Sequence, residues 1–256
     1  MKHPNRREFS SGLIAGGLFA SARKALGNPS VSVKAVAFDA FPILDPRPVF
    51  ALAENLFPGK GAELGAVWRT RQFEYTWLRT ISGRYVDFWR VTEDALVFAA
   101  SMLRLDLTSN LRARLMEAYL AIRCWPDAPA ALRSLKEKGI AVAFLSNLTR
   151  EMLEAGIRNS GLEQVFDHVL STDRVAAFKP DPRAYQMGVD AFGRRREEIL
   201  FAAFAGWDAA GARAFGYPTF WVNRQNQPAE ELGVMADGSG SNLDDLVHYI
   251  EAPAHT

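Results

Sequence analysis

Apolar residues along this chain alternate between short unbroken runs and spacings of three and four. The first run, 31–38, is all apolar past Lys34, as expected for a central strand with both faces covered. Four later runs predict further strands, at 140–145, 168–171, 199–204 and 219–222. Helical spacings follow these runs or lie between them, at 128–138, 149–159, 182–192, 208–215 and 243–250. The repeated β-α-β units predict an α/β fold, Rossmann-like and doubly wound, with a mainly parallel sheet.

A long helical stretch lies between the first predicted strand and the second. Its spacings predict four helices, at 49–57, 62–81, 87–103 and 108–120. Thr108 is a suitable N-cap for the last of them. Because the stretch interrupts the sheet, we expect a helical cap, inserted after the first strand, at 47–122. The α/β core domain is then expected at 28–46 and 123–256, with a loop at 225–241.

The N-terminus has a different composition. Arg6-Arg7 and Phe9 precede a weakly apolar stretch, 11–22, that is rich in Gly, Ala and Ser and closes on Arg23-Lys24. It is too short and too Gly-rich for a membrane span of about 20 apolar residues. The order of these features resembles a twin-arginine export signal, although an N-terminal tail with an accidental Arg pair is the alternative. We expect residues 1–27 to engage the twin-arginine export machinery and the protein to be periplasmic.

Charge and cysteine content exclude some classes of function. The chain has 30 Lys and Arg against 29 Asp and Glu, so its formal net charge is only +1. These charges are scattered, and no basic surface for nucleic acid is predicted. The single cysteine, Cys124, excludes an internal disulfide and is too few for a cysteine metal site. Candidate chemistry therefore has to come from other residue types.

Polar side chains stand where the predicted strands end. They are Asp39, Ser146-Asn147, Lys179 and Asp208. In an open α/β sheet these carboxyl ends meet at one cleft, and the inserted helices would lie over it as a lid. One carboxylate, one Lys and a Ser/Asn pair form a site-like set.

The same positions carry motifs. Phe38-Asp39, Leu145-Ser146-Asn147, Lys179-Pro180-Asp181 and Trp207-Asp208 resemble the four motifs of the haloacid dehalogenase superfamily. Within it, the chain is similar to the L-2-haloacid dehalogenase family, whose cap sequence resembles 68–79 and whose core resembles 207–213. The similarity spans about 33–250.

The resemblance implies a reaction. Asp39 would attack C2 of an (S)-2-haloalkanoic acid, expel halide and form an ester, which water hydrolyses to an (R)-2-hydroxy acid. Such an enzyme is a hydrolase acting on carbon–halide bonds, and its partner is a small halocarboxylate. Metal-using members have a second Asp where this chain has Phe41, which cannot ligate Mg²⁺. We therefore expect no metal and no other cofactor.

The resemblance also implies roles for the other residues. Arg69 would accept the departing halide with help from Asn147, and Ser146 would hold the substrate carboxylate. Lys179 would balance the charge of Asp39, and Asp208 would orient Lys179 or the hydrolytic water. Tyr185 would hold the carboxylate end or the Lys. The apolar pocket would be formed by four aromatic residues, Phe41, Phe73, Phe88 and Trp207.

Each of these side chains also has an ordinary structural role open to it. Asp39 could simply end a strand, Asp208 could cap a helix, and Arg69 could lie on the polar face of one. Ser146 and Asn147 could be capping residues as well, and the aromatic residues could be core. Their joint occurrence, in order, favours the site.

Four positions depart from the family. Pro42-Ile43 stands where Gly-Thr is usual, and Ala203 and Ala205 stand where Ser and Asn are usual. Loss of one orienting hydrogen bond can cost roughly a hundredfold in rate. A catalytically weakened carboxylate-binding protein is therefore the alternative, and a phosphatase of the superfamily is a more distant one. Family members are often homodimers, and the aromatic cap helix at 62–81 could serve that contact or pack within the chain.

Overall fold

One parallel sheet of six strands lies at the centre of residues 32–252, the part of the chain that the computed structural model describes. The strands are β1 (Ala35–Phe38), β2 (Ala141–Ser146), β3 (His168–Ser171), β4 (Ile199–Ala203), β5 (Thr219–Val222) and β6 (Gly238–Gly240). Their order is β3-β2-β1-β4-β5-β6, so the chain winds outward from β1 in both directions. This confirms the predicted doubly wound α/β fold. The predicted export signal, 1–27, lies outside the described residues.

Residues of each central strand alternate between two apolar clusters, one on each face of the sheet. Val36 and Phe38 of β1 face the larger cluster, whereas Ala35 and Ala37 face the smaller one. Both faces are therefore covered, which explains why the strand is an unbroken apolar run. In the register, Phe38 lies opposite Phe144 of β2 and Ala202 of β4, so the strand ends meet at one edge.

Helices of the core cover both faces. They are α6 (Ala128–Glu137), α7 (Arg150–Ser160), α8 (Pro182–Phe192), α9 (Gly206–Phe215) and α10 (Leu243–Glu251). The larger cluster contains buried side chains from α6, α7 and α10, and the smaller one contains side chains from α8 and α9. Short 3-10 turns lie at Thr172–Val175 and Arg196–Glu198.

Five further helices lie between β1 and α6. They are α1 (Ala40–Ile43), α2 (Arg47–Leu56), α3 (Gly61–Ile81), α4 (Phe88–Met102) and α5 (Ser109–Leu120). Helix α3 packs along α4, where the buried Trp68 donates its indole N–H to the Thr92 carbonyl at 2.8 Å. Thr108 accepts a hydrogen bond from Leu111 N, which confirms it as the N-cap of α5. Within 32–252, no helix combines the length and apolarity needed to cross a membrane.

One local prediction was wrong. Part of the segment expected as a loop at 225–241 forms β6, an edge strand of sequence Gly-Ser-Gly that has no apolar pattern to reveal it. The chain after Asp39 forms the short helix α1, although it contains Pro42. Proline costs little there because the first N–H groups of a helix have no partner within the helix.

Candidate active site

Asp39 stands where β1 ends. Its backbone N–H still donates to the Ala202 carbonyl of β4 at 3.0 Å, while its side chain caps α1 by accepting from Phe41 N at 3.3 Å. The strand and the cap together fix where the carboxylate points. The side chain is 13% exposed, so it lies at the edge of the core and remains accessible.

Lys179 lies between two carboxylates. Its ammonium Nζ donates to Asp39 Oδ1 at 2.8 Å and to Asp208 Oδ2 at 2.6 Å, and its side chain is only 1% exposed. Burial alone would lower the pKa of Lys179, but the two carboxylates outweigh burial and raise it. The ammonium therefore stays charged, and the three groups together carry one net negative charge when both acids are ionised.

Asp208 is the buried acid of this set. It sits in the first turn of α9, and its Oδ1 accepts a hydrogen bond from the Tyr185 hydroxyl at 2.7 Å. Burial raises the pKa of Asp208 to about 6, although Lys179 and the tyrosine act in the opposite direction. Burial and the nearby Asp208 raise the pKa of Tyr185 well above its ordinary value, so the phenol keeps its proton and donates it.

Ser146 is the last residue of β2 and Asn147 follows it, and their side chains bind different partners. The Ser146 hydroxyl donates to Asp39 Oδ1 at 3.4 Å and accepts from Leu148 N at 3.2 Å. The Asn147 amide oxygen instead accepts from Lys179 N at 3.0 Å and from the Thr172 hydroxyl at 3.4 Å. Asn147 thus fixes the backbone of Lys179. Thr172 lies in a 3-10 turn, and no motif around it indicates this role.

Arg69 reaches toward the site from α3. Its guanidinium is partly buried, donates to Gln225 Oε1 at 3.2 Å, and lies 5.5 Å from the Phe204 ring centroid. Burial lowers the pKa of Arg69, and the field of Tyr119 and then of Asp39 opposes this effect. Of the carboxylates in the described part of the chain, none forms an ion pair with it. A semi-buried cation without a carboxylate partner is suited to bind an anion.

A cavity of about 550 Å³ opens beside Arg69, between α3 and the loop that follows β5. Phe73, Phe204 and Trp207 form its aromatic wall, and Phe73 meets Trp207 edge-on at 5.2 Å. Two of the four aromatic residues expected in a pocket thus line this cavity. Phe41 packs against Phe204 at 5.8 Å.

Phe88 is elsewhere in the core. It is 1% exposed and packs against Phe178, the residue before Lys179, at 6.1 Å between ring centroids. Phe178 is also fixed by its N–H, which donates to the Thr80 hydroxyl of α3 at 3.1 Å. These contacts join the cap helices to the Lys179 loop, a link that sequence reasoning missed.

Three of the positions that depart from the family carry no side-chain polar group. Ile43 and Ala203 are fully buried, and Ala205 lines the cavity. Within 32–252, the hydrogen bonds to the Asp39 carboxylate come from Phe41 N, Ser146 and Lys179.

The donor set is poor for a metal. No group of three or more His, Cys, Asp or Glu side chains in the described residues could hold a metal ion. The two acids that approach each other, Asp39 and Asp208, are bridged by the Lys179 ammonium, which takes the position between them. Phe41 offers no oxygen two residues after Asp39.

Comparisons with known proteins all identify haloacid dehalogenases or their family. The haloacid dehalogenase-like hydrolase family model matches residues 33–216. The (S)-2-haloacid dehalogenase of Pseudomonas sp. (strain YL) is 42% identical over 223 residues, which is 87% of this chain and 96% of that protein. Haloacetate dehalogenase H-2 of Moraxella sp. (strain B) is 39% identical over 219 residues, or 85% of this chain and 98% of that protein.

A crystal structure with similar architecture shows the same relationship. It is the L-2-haloacid dehalogenase of Xanthobacter autotrophicus with chloropropionic acid covalently bound, at TM-score 0.80 and 32% identity, covering 87% of this chain and 100% of that one. These matches confirm the resemblance inferred from the four motifs. The chain belongs to the haloacid dehalogenase-like hydrolase family, among its L-2-haloacid dehalogenases.

Proposed function

We propose that this protein hydrolyses (S)-2-haloalkanoic acids to (R)-2-hydroxy acids and halide, without a metal ion, through an ester on Asp39. The observation that carries the proposal is the uneven environment of the Asp39 carboxylate. Oδ1 accepts from both Lys179 and Ser146, whereas the one hydrogen bond that Oδ2 accepts from the described residues is the long 3.3 Å bond from Phe41 N. Oδ2 is therefore the oxygen with a free lone pair, and we assign it as the nucleophile.

In the first half of the reaction, Asp39 Oδ2 attacks C2 and the carbon–halogen bond breaks. The halide leaves with the bonding electron pair, an ester forms, and C2 inverts. Arg69 provides the positive charge toward which the halide departs, because no carboxylate of the described residues neutralises it. Backbone N–H groups beside Ser146 hold the substrate carboxylate, because the Ser146 hydroxyl already donates its proton to Asp39 Oδ1. Esterification removes the charge of Asp39, so Lys179 then balances Asp208 alone.

In the second half, water adds to Cγ of the ester and the Cγ–Oδ2 bond breaks, so Oδ2 becomes the hydroxyl oxygen of the product. The 2-hydroxy acid leaves, and Asp39 regains a carboxylate that contains one oxygen from water. Asp208 is the nearby acid suited to receive a proton from that water, since its pKa of about 6 leaves it ionised at neutral pH. Tyr185 and Lys179 keep it oriented.

Halide release from (S)-2-chloropropionate in the presence of EDTA tests the proposal. We expect turnover for the wild-type protein, an ester adduct on Asp39 by mass spectrometry, and neither for Asp39→Asn. In water enriched in ¹⁸O, repeated turnover should label the Asp39 carboxylate. Absence of both halide and adduct, or halide release that requires Mg²⁺, would refute it.

We also propose that residues 1–27 direct export to the periplasm through the twin-arginine machinery. Arg6-Arg7, followed by a weakly apolar stretch with a basic end, supports this. In cell fractionation, the full chain should reach the periplasm, and the double variant Arg6→Lys, Arg7→Lys should stay in the cytoplasm. An unchanged distribution would refute the signal.

We also propose that the protein forms a homodimer through contacts between the α3 helices of two copies. Leu78 and Ile81 of this helix are 61% and 85% exposed, which is unusual for large aliphatic side chains. Light scattering should give the mass of a dimer, and the double variant Leu78→Glu, Ile81→Glu should give that of a monomer. A wild-type monomer at micromolar concentration would refute it.

A further inference from the structure

The short helix that follows Asp39 ends inside the protein. Helix α1 has only four residues, and Pro42, Ile43 and Leu44 are buried. The last four carbonyl groups of a helix have no partner within it, and buried carbonyls without partners are costly. The turn at 41–44 therefore needs donors from elsewhere in the chain.

Two residues supply those donors. The Trp125 indole N–H donates to Phe41 O at 2.9 Å and to Leu44 O at 3.1 Å, and its backbone N–H donates to Ile43 O at 2.9 Å. Arg224 donates to Pro42 O through Nη2 at 2.8 Å and Nε at 3.2 Å. Every carbonyl from 41 to 44 thus has a side-chain or backbone donor from this pair.

The donors are themselves held in place. Arg224 Nη2 lies 3.0 and 2.9 Å from the two Asp127 oxygens, and the Arg224 side chain is 7% exposed. Its guanidinium lies 4.5 Å from the Trp125 ring centroid. Asp127 also accepts from Leu243 N at 2.8 Å, which ties the group to α10. Because Asp127 neutralises Arg224, the group adds orientation to the turn and no net charge.

The orientation of the Asp39 carboxylate depends on this turn. Ile43 is fully buried and has no hydroxyl, so the bond that the turn itself gives to the carboxylate is the one from Phe41 N. The position of Oδ2 is then set by the backbone at 39–44. A nucleophile displaced by about 1 Å can lose a hundredfold in rate.

We infer that Trp125, Asp127 and Arg224 form a brace that positions Asp39 for attack, an inference that rests on the proposed function. Trp125 and Arg224 are positioning residues, since they contact the backbone of the turn and act through it. The brace orients the backbone of the turn by hydrogen bonds, whereas a polar side chain at position 43 would orient the carboxylate directly.

Arg224→Met and Trp125→Phe test the inference. Each removes side-chain donors to the turn and keeps much of the apolar volume. We expect kcat for (S)-2-chloropropionate to fall between about tenfold and a hundredfold with KM within about twofold, because substrate contacts remain while the nucleophile is misplaced. Arg224→Lys should recover part of kcat, since an ammonium can donate to Pro42 O but lacks the planar fork.

Arg47→Met is the matched control. Arg47 also stacks on Trp125, at 4.3 Å, but its described hydrogen bonds go to Asp45 and none goes to the turn. Its side chain is 67% exposed, so the variant should keep wild-type kcat. Equal decreases of kcat in Arg47→Met and Arg224→Met would overturn the inference.

Hydrogen–deuterium exchange gives a readout that does not depend on turnover. The backbone amides of residues 40, 41, 43 and 44 should exchange faster in Arg224→Met and Trp125→Phe than in wild type. If Arg224→Met lowers thermal stability but leaves kcat and this exchange unchanged, the residue is structural and the inference is wrong. Should the wild-type protein release no halide, the proposed function fails, and the exchange rates still decide whether the brace fixes the turn. Should Arg224→Met not fold, Trp125→Phe and Arg224→Lys carry the same measurements.

Discussion

Tyr185→Phe should shift the pH dependence of turnover by acting on Asp208. The substitution removes one hydroxyl and leaves the buried ring. In the wild-type protein that hydroxyl donates to Asp208 Oδ1 at 2.7 Å, and its hydrogen bond lowers the pKa of an acid that burial has raised to about 6. If ionised Asp208 is needed for ester hydrolysis, wild-type kcat should fall at pH values below about 6, because in the ester the charge of Asp39 no longer raises the pKa of Asp208.

The size of the shift follows from the hydrogen bond. A hydrogen bond to a charged group contributes about 1.5–3 kcal/mol, and one pKa unit corresponds to about 1.4 kcal/mol. This hydrogen bond stabilises the ionised form, so its loss should raise the pKa of Asp208 by ~1–2 units. The acid limb of the plot of kcat against pH should therefore move to higher pH by that amount. At pH values well above this limb, kcat should return to its wild-type level.

The assay is halide release at saturating substrate from about pH 5 to about pH 9. Tyr217→Phe is the matched control, because the Tyr217 hydroxyl is also buried and donates to the Tyr185 carbonyl at 2.6 Å without touching Asp208. It should leave the acid limb in place. A uniform loss of kcat in Tyr185→Phe, with an unmoved acid limb, would show that Tyr185 does not act through Asp208.

Four further outcomes are expected. Lys179→Met should abolish turnover and destabilise the fold by about 3–5 kcal/mol in urea titrations, because it leaves two carboxylates unpaired; wild-type stability would contradict the charge arrangement. In single-turnover experiments, Arg69→Lys should slow the release of chloride more than the release of iodide, because iodide is the better leaving group. Equal decreases in the two release rates would argue against stabilisation of the halide by Arg69. Gln225→Leu removes the hydrogen bond to Arg69 and should raise KM several-fold with little change in kcat, whereas unchanged kinetics would make that contact incidental. Rapid mixing should show a burst of about one halide per protein, because we expect ester hydrolysis to be the slower step, and a linear time course would refute that order.

The sequence was informative where chemistry is local to a strand end. Asp39, Ser146 and Asp208 each follow a buried run, and parallel strands bring such ends together whatever the details of packing. The structure accordingly places Lys179 within hydrogen-bonding distance of two of these residues. The sheet itself was predictable for the same reason, except for β6, whose Gly-Ser-Gly sequence has no side-chain pattern.

Contacts between distant segments were not predictable. Arg224 lies 182 residues from the carbonyl of Pro42 that it binds, and nothing near either residue indicates the pairing. Asn147 shows a second limit. Its position beside Ser146 was visible in the sequence, but its amide oxygen binds the backbone of Lys179, a partner that only the folded chain supplies. Residue type therefore indicated which side chains lie at the site, but the packing of the folded chain determines which of them form hydrogen bonds with one another.

The arrangement favours attack over ester hydrolysis. Attack needs a free carboxylate oxygen, a counter-charge and an acceptor for halide, and in the proposed mechanism Asp39, Lys179 and Arg69 supply them. Hydrolysis needs a held water and a base. Both Asp208 oxygens already accept hydrogen bonds, and Ile43 and Ala203 offer none to a water. The like charge of Asp39 helps to raise the pKa of Asp208, and esterification removes that charge. Asp208 thus becomes a weaker base at the step that needs it, which is the physical reason to expect the ester to accumulate.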